Sequence, residues 1–523
     1  MPLAAIAWNS FGVFIGVSAV VAGVGLVAGR WRRAKLDTLE EWGLAGRRFG
    51  SVVTWFLVGG DLYTAYTFVA VPALVFGKGA VGLFAIPYTI VVYPIVLVTM
   101  PRLWQLARNR RYVTGSDFVK DRFDSRLLAL LIALTGIVAT MPYIALQMYG
   151  IQVVLAQMGV GTDAALWIAF AILAAFTYVA GLRAPALLAV VKDTIIWAAV
   201  LACVIYIPIR LGGYGKIFHE VPTSMSTLPA AAYASYSSLF FGSALALFLY
   251  PHALTAIFSS ASQKAVKRNA ALLPAYSFLL GLIALLGFMA IAAGIKPTGA
   301  FGNNAAVPQL IRSIFPGEFT GFAFAAITVG ALVPASVMSI AAANLFSRNV
   351  WREFVRRRAE PREEALVSRL VSLVVKVAAL VFILYLPTTD VINFQLAGGV
   401  WILQTLPAVM FALYTRWLNR WAVTAGWAVG MGWGTYMLSV VHFQASTYDL
   451  AGLGPGWTWY IGLFAVIANI LVVAGGTMLA VALGWRPTGG GIRDEEFTED
   501  TTRPETRDTA PLSLEPDTGG RRI

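Results

Sequence analysis

Apolar residues run along this chain in unbroken blocks, without the alternation that marks a half-buried strand or a surface helix. About thirteen such blocks recur from end to end, at 7–28, 51–77, 80–100, 127–157, 163–182, 186–209, 234–260, 270–294, 319–347, 367–387, 391–415, 421–441 and 457–484. As helices they reach about 30 Å, the thickness of a hydrocarbon core that takes roughly 20 residues to cross. A helix that is apolar on every side has no face for water, so the pattern predicts an all-α membrane protein. The first block exceeds the apolar stretch of a secretion signal, about 7–15 residues. Its positive charges, Arg30, Arg32 and Arg33, come after it, and it reads as a retained anchor. The longest internal polar connections, 101–126 and 348–366, are too short to be soluble catalytic domains.

Composition agrees. The chain has 523 residues, 58% hydrophobic and 12% charged, too little polar surface for a water-soluble globule of this size. A net charge of +13 would suggest nucleic acid in a soluble protein. Here the basic residues sort by loop: Arg30 to Arg48, Arg102 to Arg126, Lys264 to Arg268 and Arg348 to Arg369 fall on one side, against Lys78, Arg210, Lys216, Lys296 and Arg312 on the other. The positive-inside rule then puts the N-terminus outside and the C-terminus in the cytoplasm of a multi-pass inner or plasma membrane protein, and nucleic-acid binding becomes unnecessary. Cys203 is the only cysteine, which rules out an intrachain disulfide and a thiolate metal cluster. After Trp485 the composition turns to Gly, Pro, Thr and charged residues, so 486–523 is expected to be a disordered cytoplasmic tail. The remainder divides into 1–48, an N-terminal helix and loop; 49–416, a transport core; and 417–485, accessory helices.

Two blocks are interrupted at matching places. The second holds Gly59, Gly60 and Asp61 and later Pro72; the seventh holds Leu249, Tyr250, Pro251 and His252. Each opens a set of five, 2–6 and 7–11, and an odd number of crossings inverts the second set. Secondary transporters bind their solute where such inverted repeats carry broken helices. Simple kinking by Gly and Pro is the other reading.

Asp61 lies about 15 Å into its block, where an unpaired carboxylate costs at least about 2.5–3.5 kcal/mol and calls for a cavity, a cation, a proton path or a packing partner. Pro251 suits the first turn of a helix, so a half-helix starting there offers His252 and free N–H groups to a carboxylate. In block nine Ser336 and Ser339 share a face. With unwound carbonyls they would make an all-oxygen site for a hard cation, although small residues also serve helix packing. Tyr143, Gln147, Gln395 and Gln404 offer neutral hydrogen-bonding groups. Lys192 and Asp193 sit near the cytoplasmic start of block six, where snorkelling or function would both explain them. Lys376 lies deep in block ten with no partner named by the sequence, packing or snorkelling being as good a reading as function, and Asp390 reads as a helix cap.

The stretch Gly46 to Gly50, followed by Trp55 to Phe68 with Gly59-Gly60-Asp61 at its centre, resembles the solute:sodium symporter family and, within it, the bacterial monocarboxylate permeases. Tyr112 to Phe118, Gly181 to Ala184 with Lys192-Asp193, Pro251-His252, and Trp401 to Pro407 extend the resemblance over roughly residues 45–440. The resemblance implies a five-plus-five inverted-repeat, LeuT-like core with helices 2 and 7 discontinuous. It also implies Na⁺-driven uptake, H⁺ being the alternative, and no cofactor besides that ion. By it, carbonyls near Phe68 and Val71 and the block-nine side chains Ser336 and Ser339 would hold Na⁺, with Asp193 on the ion's inward path. Asp61, Tyr63, Tyr66, Tyr143, Gln147, Tyr250, His252 and Gln395 would line the solute site. Two departures stand out. Where relatives carry adjacent hydroxyls in block nine this chain has Val333-Pro334, and Ala256 stands where an arginine usually follows the Pro-His pair.

The expected function is therefore cation-coupled import of a small monocarboxylate such as lactate or pyruvate, with an amino-acid symporter as the alternative. A membrane enzyme would need a constellation that His219, His252 and His442, in separate segments, do not supply. A sensor would need a signalling domain that the short tail cannot hold. A passive channel would move solute without any gradient dependence.

Overall fold

The apolar blocks are mainly helical in the computed structural model, whose described residues are 8–30, 36–297, 299–385, 391–485 and 491–497. The long helices are α1 (Trp8–Arg30), α2 (Ser51–Gly59), α3 (Val71–Lys78), α4 (Ala85–Arg110), α5 (Arg126–Gln157), α6 (Thr162–Ala180) and α7 (Arg183–Leu211). They continue with α8 (Tyr233–Leu247), α9 (Pro251–Phe258), α10 (Pro274–Ala292), α11 (Gly317–Leu345), α12 (Pro361–Tyr385), α13 (Ile392–Ile402), α14 (Arg420–Val440) and α15 (Ile461–Ala482). Shorter helices connect them, and among the described residues there is one two-stranded antiparallel hairpin, β1 (Thr447–Asp449) and β2 (Thr458–Tyr460).

Among the described residues ten stretches are long and apolar enough to cross a membrane; the longest, Ser51–Arg110, contains both the second and the third block. The fifth block yields only a shorter apolar helix, Thr162–Thr177, and Gly and Trp dilute the hydropathy of α14.

Helix α11 is the axis of the molecule, its apolar window buried in full. Its Gly and Ala residues let α1, α5, α7 and α12 approach it closely. The second block is not one helix. Gly59 and Gly60 are poor helix formers, α2 ends there, Tyr63 turns to φ −97°, ψ 85°, and a π-helical turn, Tyr66–Ala70, leads into α3 with Pro72 in its first turn. In the seventh block, Pro251 forces the preceding Tyr250 into an extended conformation, φ −59°, ψ 139°, and restarts the helix as α9.

The outer ends of these broken helices are stitched together at the end of the molecule that carries the basic loops. The Phe49 N–H donates to the Ser259 carbonyl at 3.2 Å, and the Ala261 N–H donates to the Phe49 carbonyl at 2.8 Å. Arg47, buried beside them, bonds the Phe258 carbonyl at 3.3 Å, the Tyr112 carbonyl and Glu40. Burial pushes its guanidinium below the ordinary arginine value, with Glu40 opposing that shift.

The tail departs from expectation in one stretch. Residues 491–497 dock on the basic end: Arg110 takes both Glu496 oxygens at 2.6 and 2.8 Å, Arg416 reaches Asp494 at 2.9 Å, and Phe497 lies under the Arg102 guanidinium at 3.9 Å. Ile492 is buried in this contact. Asp390 and residues 498–523 lie outside the described residues.

Candidate functional site

The gap in the second block and the start of α9 face each other deep in the protein. Asp61 Oδ2 stands 3.1 Å from His252 Nε2, His252 being fully buried and the Asp61 side chain 13% exposed. Neither ring nitrogen of His252 makes a well-aligned hydrogen bond within the protein. A small cavity borders this pair, lined by Gly60, Asp61, Lys192, His252 and Ala256 and by Val333, Pro334 and Val337 of α11. A second lies against Asp61, Leu62, Tyr93, Phe248 and Ala256. Ala256 borders both, so the missing arginine leaves room, not a charge.

A gap in a helix exposes carbonyls at one lip and N–H groups at the other, and each must find a partner. At the carbonyl lip, Lys192 Nζ donates to Gly60 O at 2.7 Å and Tyr63 O at 3.1 Å, and the Thr67 hydroxyl donates to Leu62 O. At the N–H lip, Gln147 accepts from Ala65 N at 2.9 Å and the Thr64 hydroxyl accepts from Tyr66 N at 3.0 Å. Helix α9 differs, because Tyr250 provides no side-chain cap. Its first N–H groups keep the partial positive charge of an open helix start.

Aromatic rings wall this start. Tyr143 and Tyr250 lie 5.5 and 5.2 Å from His252, centroid to centroid, and 5.6 Å from each other. Tyr250 is held by its hydroxyl, which donates to Gln395 O at 3.0 Å; the Gln395 side-chain oxygen is buried without a partner. Gly398 makes this approach feasible, since a Cβ there would lie 2.8 Å from the Tyr250 hydroxyl. Tyr66 stands edge-on to Tyr88 at 6.3 Å.

The structure thus gathers Asp61, Tyr143, Tyr250 and His252, with Gln395 behind Tyr250. Gln147 caps the broken helix, and Tyr63 turns its hydroxyl to the Tyr276 carbonyl at 3.2 Å. The set expected to hold a cation is arranged differently. Phe68 and Val71 fall in the helical turns beyond the gap, whereas the exposed carbonyls belong to Gly60 and Tyr63. Ser336 and Ser339 donate to carbonyls of their own helix at 2.8 and 2.7 Å, and Ser336 accepts from Thr177 of α6 at 3.1 Å. Asp193 is engaged by Lys192 at 2.6 Å and by the Tyr276 hydroxyl at 2.7 Å. Gln404 binds Asn469 of α15, and Lys376 donates to Ser372 O of its own helix, both away from the gap. Sequence reasoning missed Tyr276, which carries no motif, and left the task of Lys192 open.

The Sodium:solute symporter family model matches residues 42–430. The monocarboxylate transport permease protein of Rhizobium johnstonii is 50% identical over 472 residues, covering 89% of this chain and 95% of that one. The uncharacterized symporter YodF of Bacillus subtilis is 33% identical over 461 residues, covering 86% of this chain and 89% of its own. Among solved structures, a substrate-bound, outward-open Na⁺-coupled sialic acid symporter superposes with a TM-score of 0.72 at 17% identity, covering 90% of this chain and 98% of that one. That likeness shows the fold, which is LeuT-like. The chain is a membrane transporter, not an enzyme, and it belongs to the Sodium:solute symporter family.

Proposed function

We propose that the protein imports a small monocarboxylate of the lactate or pyruvate class by symport with a cation. The observation that carries this reading is the uncapped start of α9, where His252 meets Asp61 beside a cavity that both of them line. A carboxylate placed there meets free N–H groups, the positive end of a helix and an imidazole whose nitrogens lack good partners. Leu62, Tyr93 and Phe248 offer apolar surface to a short carbon chain. The 50% identical relative named as a monocarboxylate permease supports the same class. Family membership supports Na⁺ as the coupling ion.

In this reading the two halves of each broken helix move against one another about the site, exposing it first outside and then inside. The basic end is cytoplasmic by the positive-inside rule, with the N-terminus outside and the C-terminus in the cytoplasm. The test is uptake of radiolabelled pyruvate or lactate into proteoliposomes under an imposed Na⁺ or H⁺ gradient. Accumulation above equilibrium under either gradient supports symport, and equilibration indifferent to both gradients refutes it in favour of a passive channel.

A second reading, an amino-acid symporter, is favoured by one observation: the Asp61 carboxylate borders both cavities and would suit an ammonium group. Competition separates the two. Block of pyruvate uptake by acetate but not by alanine or proline keeps the monocarboxylate assignment.

A further inference from the structure

Carbonyls freed where a transporter helix unwinds are where a coupling cation binds, and here those carbonyls already have an occupant. Lys192 is fully buried on α7, and an ammonium has three N–H groups to satisfy. Two are met by Gly60 O at 2.7 Å and Tyr63 O at 3.1 Å, and the charge is met by Asp193 Oδ1 at 2.6 Å. The other Asp193 oxygen accepts from Tyr276 at 2.7 Å. The niche is shaped for this arrangement. A Cβ on Gly60 would lie 2.9 Å from Asp193 Oδ2 and 3.2 Å from Lys192 Nζ, and the Tyr63 ring faces the ammonium at 5.8 Å. From the other side α11 presents Val333, Pro334 and Val337 to the adjoining cavity, and its Ser336 and Ser339 hydroxyls donate to its own carbonyls.

We propose that the Lys192 ammonium is the resident cation of this niche, a charge tethered to α7 that takes the place of a free Na⁺. Two carbonyls and a carboxylate are ligands that suit Na⁺ equally well, so the tethered charge and the free ion exclude one another. The charged and polar groups around it are Asp193 on its own helix, Asp61 and Tyr63 at the gap, Tyr276 from α10 and His252 from α9. The ammonium ties the carbonyl lip of the gap to α7. This inference rests on the carrier reading and deepens it by naming the charge that fills the cation niche.

The experiment is counterflow of labelled pyruvate in proteoliposomes, in choline chloride and in NaCl, with wild type, Lys192→Ala and Lys192→Gln. Thermal unfolding of the purified proteins in the same salts is measured alongside. Wild-type exchange is expected to run equally in both salts. Its unfolding midpoint is expected to show no shift specific to Na⁺. Lys192→Ala is expected to gain an unfolding midpoint that Na⁺ raises and choline does not, because the emptied oxygens admit the ion. Lys192→Gln fills the niche without the charge, and is expected to fold as wild type does and to show less Na⁺ stabilisation than Lys192→Ala. Wild-type exchange that requires Na⁺, or Na⁺ stabilisation of wild type that is unchanged in Lys192→Ala, overturns the tethered-cation assignment and leaves the carrier reading standing. Absence of exchange with any short monocarboxylate in either salt overturns the carrier reading, and this inference with it.

Discussion

Asp61 and His252 approach to 3.1 Å although 191 positions separate them in sequence, and each comes from the point where a helix breaks. The contact ties the first broken helix of one repeat to that of the other. Any movement of α2 against α9 must stretch or remake it, and solute entering the cavity beside it competes for the same groups.

Asp61→Asn should insert and fold yet lose gradient-driven accumulation. The amide keeps the volume and the hydrogen-bonding capacity but not the negative charge that a passing cation would meet. The check is uptake under an imposed gradient, with the amount of folded protein measured by detergent gel filtration. Wild-type accumulation in the mutant would reduce Asp61 to a packing residue.

His252→Ala should weaken solute binding more than it weakens the fold. A hydrogen bond to a charged group is worth about 1.5–3 kcal/mol, which corresponds to roughly 10- to 150-fold in affinity. Half-saturation for pyruvate should rise by that order, with less effect on the maximal rate. An unchanged half-saturation would remove His252 from the solute site and leave the helix start alone as the anion receptor.

Much of this architecture was legible because lipid imposes length and apolarity on every crossing, and the blocks therefore announce the helices. Gly59-Gly60 and Pro251 likewise mark where helices α2 and α9 stop and start, through backbone preferences that act locally. The partners across the gap were not legible. Ser336 and Ser339 share a helix face in sequence, yet a buried serine can satisfy itself on the carbonyl four residues back, and both do so. Lys192 near a helix start reads as a snorkelling residue until the opposing carbonyls of Gly60 and Tyr63 are seen. Tyr276, which orients Asp193, sits in an apolar block like many other tyrosines, and only tertiary packing selects it.

Gly59→Ala should destabilise the protein without touching solute. A Cβ at this position would run into the ring of Tyr276, which cannot retreat without releasing Asp193. Overpacking of a tight core costs about 1–3 kcal/mol. The thermal midpoint should fall, and Tyr276→Ala in the same chain should restore part of the loss by making room, while sacrificing the hydrogen bond to Asp193. A midpoint equal to wild type in Gly59→Ala would mean that the two helices are less closely packed than the structure has them.

The docking of residues 491–497 should be pH-dependent in a direction that the geometry decides. The hydrogen bonds from Arg110 hold the Glu496 carboxyl below its ordinary value, a shift that its partial exposure to solvent moderates. A carboxyl depressed in the docked state favours docking fully above its free value, about 4.3, and loses that contribution as the pH falls through the docked value. The segment should therefore stay docked at neutral pH and loosen in acid. Glu496→Gln should loosen it at every pH and abolish the acid transition, because the amide cannot take both Arg110 contacts as a charge. Hydrogen exchange of residues 491–497 between neutral and acidic pH, corrected for intrinsic rates, measures this directly. Protection that is equal in wild type and Glu496→Gln would show that Ile492 and Phe497, seated apolar side chains, hold the segment without the ion pair.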